Sequence, residues 1–269
     1  MPGSEAEHIA LADVDLTINE GEFLGLIGHT GSGKSTLVQI MTGLIEPTSG
    51  SVLVDGFDMA DKKQRARGRR NIGLVFQYPE YQLFEETVEK DIAYGPVNMK
   101  LDEAEVAERV TEAMRLVGLP DEYRGRSPFE LSGGEKRRAA LAGIIAMRPK
   151  YLMLDEPMAG LDPSGRREIL EMIDGLRERL GLAVVMASHS MDDMARCAER
   201  LAVLNEGRLV RLDTPEKVFG DPEYLQSIGL DIPEVARLTL NLRSRGVKTP
   251  PIYDMDSMER FILGRVKHD

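Results

Sequence analysis

The residues with the clearest chemical meaning form a glycine-rich stretch at residues 28–36. Its sequence, GHTGSGKST, fits the pattern G-x-x-x-x-G-K-[ST], in which backbone N–H groups surround an anion. A short apolar segment precedes the stretch and a helical pattern follows, so the positive end of a helix would face the same anion. Lys34 would reach the β- and γ-phosphates of a nucleotide, and the Ser35 hydroxyl would bind Mg²⁺. A turn without a ligand is the alternative, but the complete pattern predicts a nucleoside triphosphate site. Its residues are Gly28, His29, Thr30, Gly31, Ser32, Gly33, Lys34, Ser35 and Thr36.

Three further groups could act on such a ligand. Asp155 ends an apolar run, a position from which a carboxylate can hold Mg²⁺, and Glu156 directly after it could orient and activate an attacking water. Ser132-Gly133-Gly134 opens a helical pattern and would present N–H groups and a hydroxyl to a second anion. His189 follows another apolar run. The alternatives are two acids in an ordinary loop, a plain helix cap and a structural histidine.

The elements that must position these residues alternate between strands and helices, which predicts an α/β domain around a parallel sheet. Apolar runs predict strands over residues 22–28, 51–54, 72–76, 151–155 and 183–188, and a hairpin over 201–205 and 209–212. Helical spacing predicts helices over residues 37–41, 102–117, 131–147, 164–180 and 191–198. Alternating apolar residues predict a half-exposed antiparallel strand over 9–18, and the basic run 61–70 is expected to be a solvated loop.

Charge and composition exclude some classes of function. The formal net charge of −11 argues against nucleic acid or an anionic membrane surface as a partner. The longest apolar run, residues 139–147, is too short to span a bilayer. The one cysteine, Cys197, excludes an internal disulfide and is typical of a reducing compartment. Because the N-terminal residues also show no signal-peptide pattern, we expect a cytoplasmic protein.

The order and spacing of these groups resemble those of ABC-transporter ATPases. The resemblance rests on residues 28–36, Gln77, LSGGE at 131–135, YLMLDE at 151–156, AGLD at 159–162 and His189. GLIGHTG at 25–31 and FQYPEYQLFEETVEKD at 76–91 are similar to the energy-coupling factor (ECF) type, the motors of bacterial vitamin and metal-ion uptake. The resemblance runs from about residue 9 into the C-terminal segment and weakens after Leu230. Two departures are Glu135 and Met158, where Gln and Thr are common in the family.

The resemblance implies a P-loop ABC-type nucleotide-binding domain of the α/β class. It would have a RecA-like parallel core, an antiparallel β subdomain and a helical subdomain, followed by a small C-terminal helical extension. We expect the ATPase domain at residues 1–214, its helical subdomain at about 78–145, and a dimerisation extension at 215–269. Apolar residues of the extension, such as Phe219, Leu225 and Leu238, have few neighbours to bury them, so we expect them to pack on a partner ATPase.

The resemblance also implies roles for individual residues, with ATP and Mg²⁺ as cofactors. Ser132, Gly133 and Gly134 would contact the γ-phosphate of an ATP held by a partner subunit, so that two ATPases close head to tail around two ATPs. Asp162 would link the two sites across that dimer. The implied catalytic residues are Glu156, His189 and Gln77, and the implied metal ligands are Ser35, Gln77 and Asp155.

The implied partners are a second, homologous but non-identical ECF-type ATPase, a transmembrane coupling subunit and a substrate-binding membrane subunit. These would hold the chain at the cytoplasmic face of the cell membrane, and the apolar segment 78–91 would dock the coupling subunit. The alternatives are a cobalt- or nickel-specific importer ATPase and a non-transport ABC ATPase of chromosome maintenance or translation. The chromosome type would carry a long coiled coil between Gln77 and Ser132, and the translation type would carry two phosphate loops.

The N-terminal end departs from the family pattern. ATPases of this family normally begin with a further strand and an aromatic residue that stacks on adenine. Residues 1–10 contain no Phe, Tyr or Trp, and His8 is the only ring there. Either the natural start lies upstream of Met1, or the protein holds adenine by other means. We expect the first, because without that strand the antiparallel sheet would have an unpaired edge.

Overall fold

The structure is a computed structural model that describes residues 9–266. The strands in chain order are β1 (Phe23–Ile27), β2 (Leu53–Val54), β3 (Phe57–Asp58), β4 (Ile72–Val75), β5 (Tyr151–Asp155), β6 (Ala183–Ala187), β7 (Arg200–Asn205) and β8 (Arg208–Asp213). The α-helices in chain order are α1 (Lys34–Met41), α2 (Lys62–Gly68), α3 (Val88–Asn98), α4 (Glu103–Leu116), α5 (Gly133–Ile145), α6 (Pro163–Leu180), α7 (Met191–Cys197), α8 (Pro215–Phe219), α9 (Pro222–Ser227), α10 (Glu234–Ser244) and α11 (Met255–Val266).

The chain divides into two compact units. The first contains Phe23–Leu37 and Ala187–Asp269, together with Met1–Thr17. In it, β1 pairs in parallel with β7, and β7 pairs antiparallel with β8 across the predicted hairpin turn. Every residue of β1 is buried, which explains why this strand has no polar side chain.

The second unit contains Ile18–Glu22 and Val38–Met186. Its strands follow the order β4-β5-β6, with β4 and β5 parallel, while β2 and β3 form a separate hairpin. Asp55 in the hairpin turn accepts hydrogen bonds from Tyr151 Oη (2.7 Å), Lys150 Nζ (2.9 Å) and Asn71 Nδ2 (2.7 Å). These bonds fix the hairpin to the start of β5. Burial, together with the Asp55 carboxylate, raises the pKa of Tyr151 to about 12.

The predicted α/β organisation is confirmed, and the helices α4, α5 and α6 agree with their predicted bounds to within two residues. Their ends are capped. Asp102 Oδ1 accepts from Glu105 N at the start of α4, and Asp162 Oδ1 accepts from Gly165 N at the start of α6. Gly181, with φ 66°, ends α6 in the left-handed conformation that favours glycine.

Two sequence predictions about the first 70 residues are wrong. No strand forms over residues 9–18, although Val14 and Leu16 are half-buried while Asp13, Asp15 and Thr17 are exposed. The alternation shows which side chains are covered, but a strand also needs a continuous ladder of backbone hydrogen bonds to a neighbouring strand. In this segment Ala12 N donates to Gly207 O, and that bond does not continue into a ladder. His8 and the rest of residues 1–8 lie outside the described residues.

The basic run, expected to be a loop, instead forms α2. Its side chains are good helix formers, and Asp61 accepts from the N–H groups of Lys63 and Gln64 at the helix start. The expected exposure is confirmed, since Lys62, Lys63, Arg67, Arg69 and Arg70 are all exposed.

The C-terminal segment forms α8–α11, and about half of its apolar residues are buried. Val235, Ile252 and Met258 form a small core against which Leu242 and Phe261 pack. Phe219 and Leu225 are also buried, so the expectation that they reach outward to a partner is wrong. Leu238, by contrast, is 43% exposed. Among the described residues, no helix is both long enough and apolar enough to cross a membrane.

Candidate functional site

The phosphate loop joins β1 to α1 and needs glycine at three places for different reasons. Gly31 and Gly33 have φ angles of 83° and 103°, which side chains rarely adopt. A Cβ added to Gly28 would lie 2.4 Å from Leu204 O and from Ser32 Oγ. A Cβ on Gly33 would lie 2.9 Å from Ala10 O. The backbone therefore turns tightly, as the cradle for an anion requires.

Lys34 lies inside this loop rather than in solvent. Its side chain is 6% exposed, and Nζ donates to Gly28 O (2.7 Å) and His29 O (3.2 Å). These carbonyl contacts hold a positive charge at the start of α1, next to the positive end of the helix. An anion in the loop would meet both charges.

The other loop residues differ in exposure. Ser32 is fully buried, and its Oγ has no hydrogen-bond partner among the described residues. Ser35, in the first turn of α1, is exposed and offers a hydroxyl oxygen, which is a ligand type that Mg²⁺ prefers. Thr30 is exposed, and Thr36 is half-buried.

Two residues of the β7–β8 hairpin contact the phosphate loop. Asn205 Oδ1 lies 3.1 Å from Nε2 of His29, while Nδ1 of the same ring lies 2.8 Å from Thr30 O. Gly207 N donates to Ser32 O (3.0 Å). Sequence reasoning recognised the hairpin but missed both contacts, because they join segments about 175 residues apart in the chain.

The acidic pair lies at the end of β5. Asp155 Oδ1 is buried and accepts no hydrogen bond from the described residues, as a carboxylate oxygen available to a metal ion would. Glu156 has a φ of 50°, a strained value for a residue with a side chain. Its carbonyl accepts from Ala159 N (3.1 Å), which closes the loop that leads to Asp162.

The N-terminus of α5 carries Ser132, Gly133 and Gly134, all exposed. Ser132 Oγ accepts from Glu135 N (3.4 Å), and Ser132 N donates to Glu135 Oε2 (2.8 Å), a complete capping box. These bonds, with one from Tyr123 Oη, lower the pKa of Glu135. Beyond its chain neighbours and its own helix, no atom of the described residues lies within 4 Å of a Cβ built on either glycine, so this helix end is open.

The remaining predicted residues are divided between the units. His189 is exposed between β6 and α7, and it belongs to the same unit as the phosphate loop. Gln77, exposed after β4, belongs to the second unit. So do Ser132–Gly134, Asp155, Glu156 and Asp162. Among the described residues, no cluster of three or more His, Cys, Asp or Glu side chains could hold a metal ion alone. Mg²⁺ held partly by nucleotide phosphates needs no such cluster.

Comparisons with known proteins agree with this arrangement. The ABC transporter family model matches residues 11–159. The energy-coupling factor transporter ATP-binding protein EcfA2 of Caldanaerobacter subterraneus subsp. tengcongensis is 52% identical, and the match covers 97% of this chain and 92% of that protein. The chain belongs to the ECF-type ABC-transporter ATPases. The chain is thus an ATP hydrolase that uses ATP and Mg²⁺.

Solved structures support the same fold for this ECF-type ATPase. The structure of cbiO1 from Clostridium perfringens, part of the ABC transporter complex cbiONQ, has a TM-score of 0.74 and 37% identity, over 86% of this chain and 92% of that one. The ATP-binding cassette MJ0796, solved as a dimer bound to ADP and Pi, has a TM-score of 0.69 and 30% identity, over 80% and 94%. The predicted P-loop ABC fold is therefore confirmed. The domain boundaries and the residue roles stay predictions.

Sequence reasoning also missed a buried ion pair in the second unit. Arg137 of α5 is 4% exposed, and its guanidinium binds both carboxylate oxygens of Glu80 at 2.9–3.2 Å. Its Nη2 also donates to Ala159 O (3.1 Å). Only the preference of buried arginine for a carboxylate partner could have suggested the pair, and it does not identify which carboxylate.

Proposed function

We propose that this ECF-type ATPase closes head to tail with a second ATPase around two ATPs. The main support is the open N-terminus of α5, where Gly133 and Gly134 are exposed and a Cβ added to either would meet no residue beyond its own helix in the described part of the chain. An N-terminus of this kind suits a γ-phosphate brought by a partner. The dimeric MJ0796 cassette supports the same arrangement. Asp162, exposed at the start of α6, would lie at the interface.

Within this proposal each residue has a distinct task. Lys34 and the loop N–H groups bind the β- and γ-phosphates. Ser35, Gln77 and Asp155 would hold Mg²⁺, which neutralises phosphate charge as it develops. Glu156 orients the attacking water and accepts its proton, and His189 and Gln77 respond to the γ-phosphate. The buried, unpaired Oδ1 of Asp155 supports its assignment as a metal ligand.

The hydrolysis cycle would be coupled to membrane partners through an exposed apolar surface. Its residues are Tyr78, Tyr81, Phe84, Tyr94 and Val97, of which Tyr81 is 83% exposed. Phe84 and Tyr94 pack edge to face with ring centroids 4.9 Å apart, so the surface is already ordered. We assign it to a transmembrane coupling subunit, with the chain held peripherally at the cytoplasmic face of the cell membrane beside a non-identical ATPase and a substrate-binding membrane subunit. Those subunits would carry the vitamin or metal ion.

The docking segment, Tyr78–Asp91, differs in one respect from its sequence prediction. Pro79 and Leu83 were expected to take part in docking, but both are buried within the chain. Asp91, 9% exposed, accepts from Glu85 N (3.0 Å) and from Phe84 N (3.3 Å), and thereby presents the Phe84 side chain outward. The alternative of a non-transport ATPase is not favoured, because the 52% identical relative is a transporter ATP-binding protein.

The catalytic assignment is tested by Glu156→Gln. In the assembled transporter we expect ATP binding to be retained and steady-state hydrolysis to fall on the order of 10²–10⁴-fold, because the general base is lost. Glu206→Gln is a matched control, since Glu206 also has a left-handed φ, 48°, but lies in the exposed β7–β8 turn. Near-normal ATPase activity of the Glu156→Gln complex would remove Glu156 from this role.

A further inference from the structure

Three functional segments of the second unit meet at the Arg137 side chain. Arg137 lies in the second turn of α5, five residues after Ser132. Glu80 lies in the 3-10 helix Pro79–Gln82, three residues after Gln77 and inside the docking segment. Ala159, whose carbonyl oxygen accepts from Arg137, lies three residues after Glu156. One guanidinium thus contacts the segment after Gln77, the helix opened by Ser132 and the loop that contains Glu156.

The geometry leaves this contact little freedom. Both oxygens of Glu80 are held by Arg137 Nη2, at 2.9 and 3.0 Å, and Nε adds a bond of 3.2 Å. The planar guanidinium fixes the direction as well as the distance of such a pair. The Glu80 side chain is only 19% exposed, and a cavity of about 10 Å³ beside Arg137 is lined by Val75, Leu141 and Leu154. In these apolar surroundings a separated charge would have no solvent to stabilise it.

A second contact joins two of the same segments. A Cβ added to Gly160, with φ 77°, would lie 3.3 Å from Cε1 of Tyr78, so the Tyr78 ring rests against this stretch of backbone. Tyr78 itself has a left-handed φ of 57° and begins the helix that carries Glu80. The docking segment therefore meets the loop after Glu156 directly, through Tyr78 at Gly160, and indirectly, through the Glu80–Arg137 pair at Ala159 O.

We propose that Arg137 is a positioning residue, which transmits the position of the docked membrane subunit from Glu80 to the Glu156 loop through Ala159 O. The proposal rests on the proposed function, because it takes the docking segment as the membrane contact. A displacement of Glu80 moves the guanidinium, which moves Ala159, the residue whose carbonyl accepts from Arg137 and whose backbone N–H donates to Glu156 O. Misplacement of a catalytic group by about 1 Å can cost about 10²-fold in rate, so a short chain of rigid contacts is sufficient for control.

The test compares Glu80→Gln, Arg137→Met and the double variant in the complete transporter, reconstituted in liposomes. For each complex, the thermal midpoint, the kcat and KM of ATP hydrolysis and the substrate taken up per ATP are measured. Glu168→Gln is the matched control: Glu168 is the partner of Arg138, the next residue of α5, at 3.1 Å, and within the described part of the chain neither residue forms a hydrogen bond or ion pair with Glu80 or Ala159. We expect the control to keep the wild-type kcat and uptake per ATP.

Glu80→Gln leaves a buried guanidinium unpaired, so we expect a lower thermal midpoint and a kcat reduced on the order of 10–10²-fold with KM nearly unchanged. The double variant has no unpaired charge, so its midpoint should recover while its kcat and uptake per ATP stay low. If Glu80→Gln does not accumulate, the double variant carries the test alone.

A merely structural role predicts the opposite result for the double variant. If kcat and uptake per ATP recover together with the midpoint, or if no variant changes them, the positioning role is refuted. The docking assignment has a separate test. If that assignment is wrong, complexes that carry Phe84→Glu will assemble and transport as wild type does. The Arg137 variants are judged only in complexes that assemble with wild-type stoichiometry.

Discussion

Replacing the glycines of the phosphate loop one at a time by alanine would separate two reasons why glycine is needed there. One is a left-handed backbone conformation, and the other is the lack of space for a Cβ atom. Gly31 has a positive φ of 83°, but nothing lies within 4 Å of an added Cβ. Gly28 has no positive φ, but its Cβ would lie 2.4 Å from Leu204 O and Ser32 Oγ. Gly33 has both problems, with φ 103° and contacts of 2.7 Å to Leu11 Cδ2 and 2.9 Å to Ala10 O.

These geometries set the order of the effects. A left-handed alanine costs about 1–2 kcal/mol, so Gly31→Ala should lower the free energy of unfolding by that amount. Overpacking costs about 1–3 kcal/mol, and for Gly28→Ala the upper end is expected because one clash is with a backbone carbonyl. Adding the two terms, Gly33→Ala should lose about 2–5 kcal/mol. ATP affinity should follow the same order, since each displacement of the backbone turns N–H groups away from the phosphates.

Urea unfolding gives the stability of each variant, and calorimetric titration gives its ATP affinity. Gly50→Ala is the matched control for backbone strain, because Gly50 has φ 85° and an equally open Cβ position but lies outside the loop. It should lose as much stability as Gly31→Ala and no ATP affinity. Equal losses of stability in Gly31→Ala and Gly33→Ala would refute the reasoning, since the close contacts would then have no effect.

Three further predictions concern other surfaces of the molecule. Phe84→Glu should abolish co-purification with the membrane subunits without lowering the thermal midpoint, because the ring is 57% exposed. Leu238→Glu should weaken ATP-independent association of two ATPases about tenfold, measured by sedimentation, because a charge would enter a contact that we assign to α10. Asp55→Asn should lower stability at pH 7 and flatten its acid dependence. Hydrogen bonding to Tyr151 and Lys150 lowers the pKa of Asp55, so its contribution is present above pH ~4 and is lost as pH falls through the folded pKa.

Each of these predictions has a contrary outcome. Leu83 is 7% exposed. If a Leu83→Ala protein loses its membrane partners but keeps its stability, the docking surface lies on the side of the segment that carries Leu83 and not on the side that carries Phe84. Unchanged association of Leu238→Glu would leave α10 outside the dimer contact. A urea-unfolding series from pH 3 to 7 that is the same for Asp55→Asn and wild type would show that the hairpin anchor does not depend on charge.

Local patterns in the sequence predicted local structure well. The phosphate loop, β5 and the helices α4 and α5 depend on residues that are close together in the sequence, so their spacing is sufficient. The strand expected at 9–18 is wrong for the opposite reason. Its alternation was correct, but a ladder depends on distant partners that the segment itself does not specify.

The sequence also could not show which apolar residues are buried. Leu83 and Phe84 are adjacent and similar in hydrophobicity, yet Leu83 is buried and Phe84 is exposed. The C-terminal extension shows the same difficulty, because Phe219 and Leu225 are buried although the sequence predicted that they reach a partner. Exposed hydrophobic surface is a property of packing, so a docking site inferred from composition alone includes residues that belong to the core.

The parallel neighbours β4 and β5 show why the Arg137 contact matters and why it was not predicted. Each is followed by a non-glycine residue in the left-handed region, Tyr78 at φ 57° and Glu156 at φ 50°. Such conformations cost about 1–3 kcal/mol and persist where the surroundings fix them. Arg137, which binds Glu80 next to the first bend and Ala159 next to the second, supplies that restraint from a position 57 residues away from Glu80. Releasing it would allow both bends to relax, so the same side chain that stabilises the loop geometry is the one that can couple docking to hydrolysis.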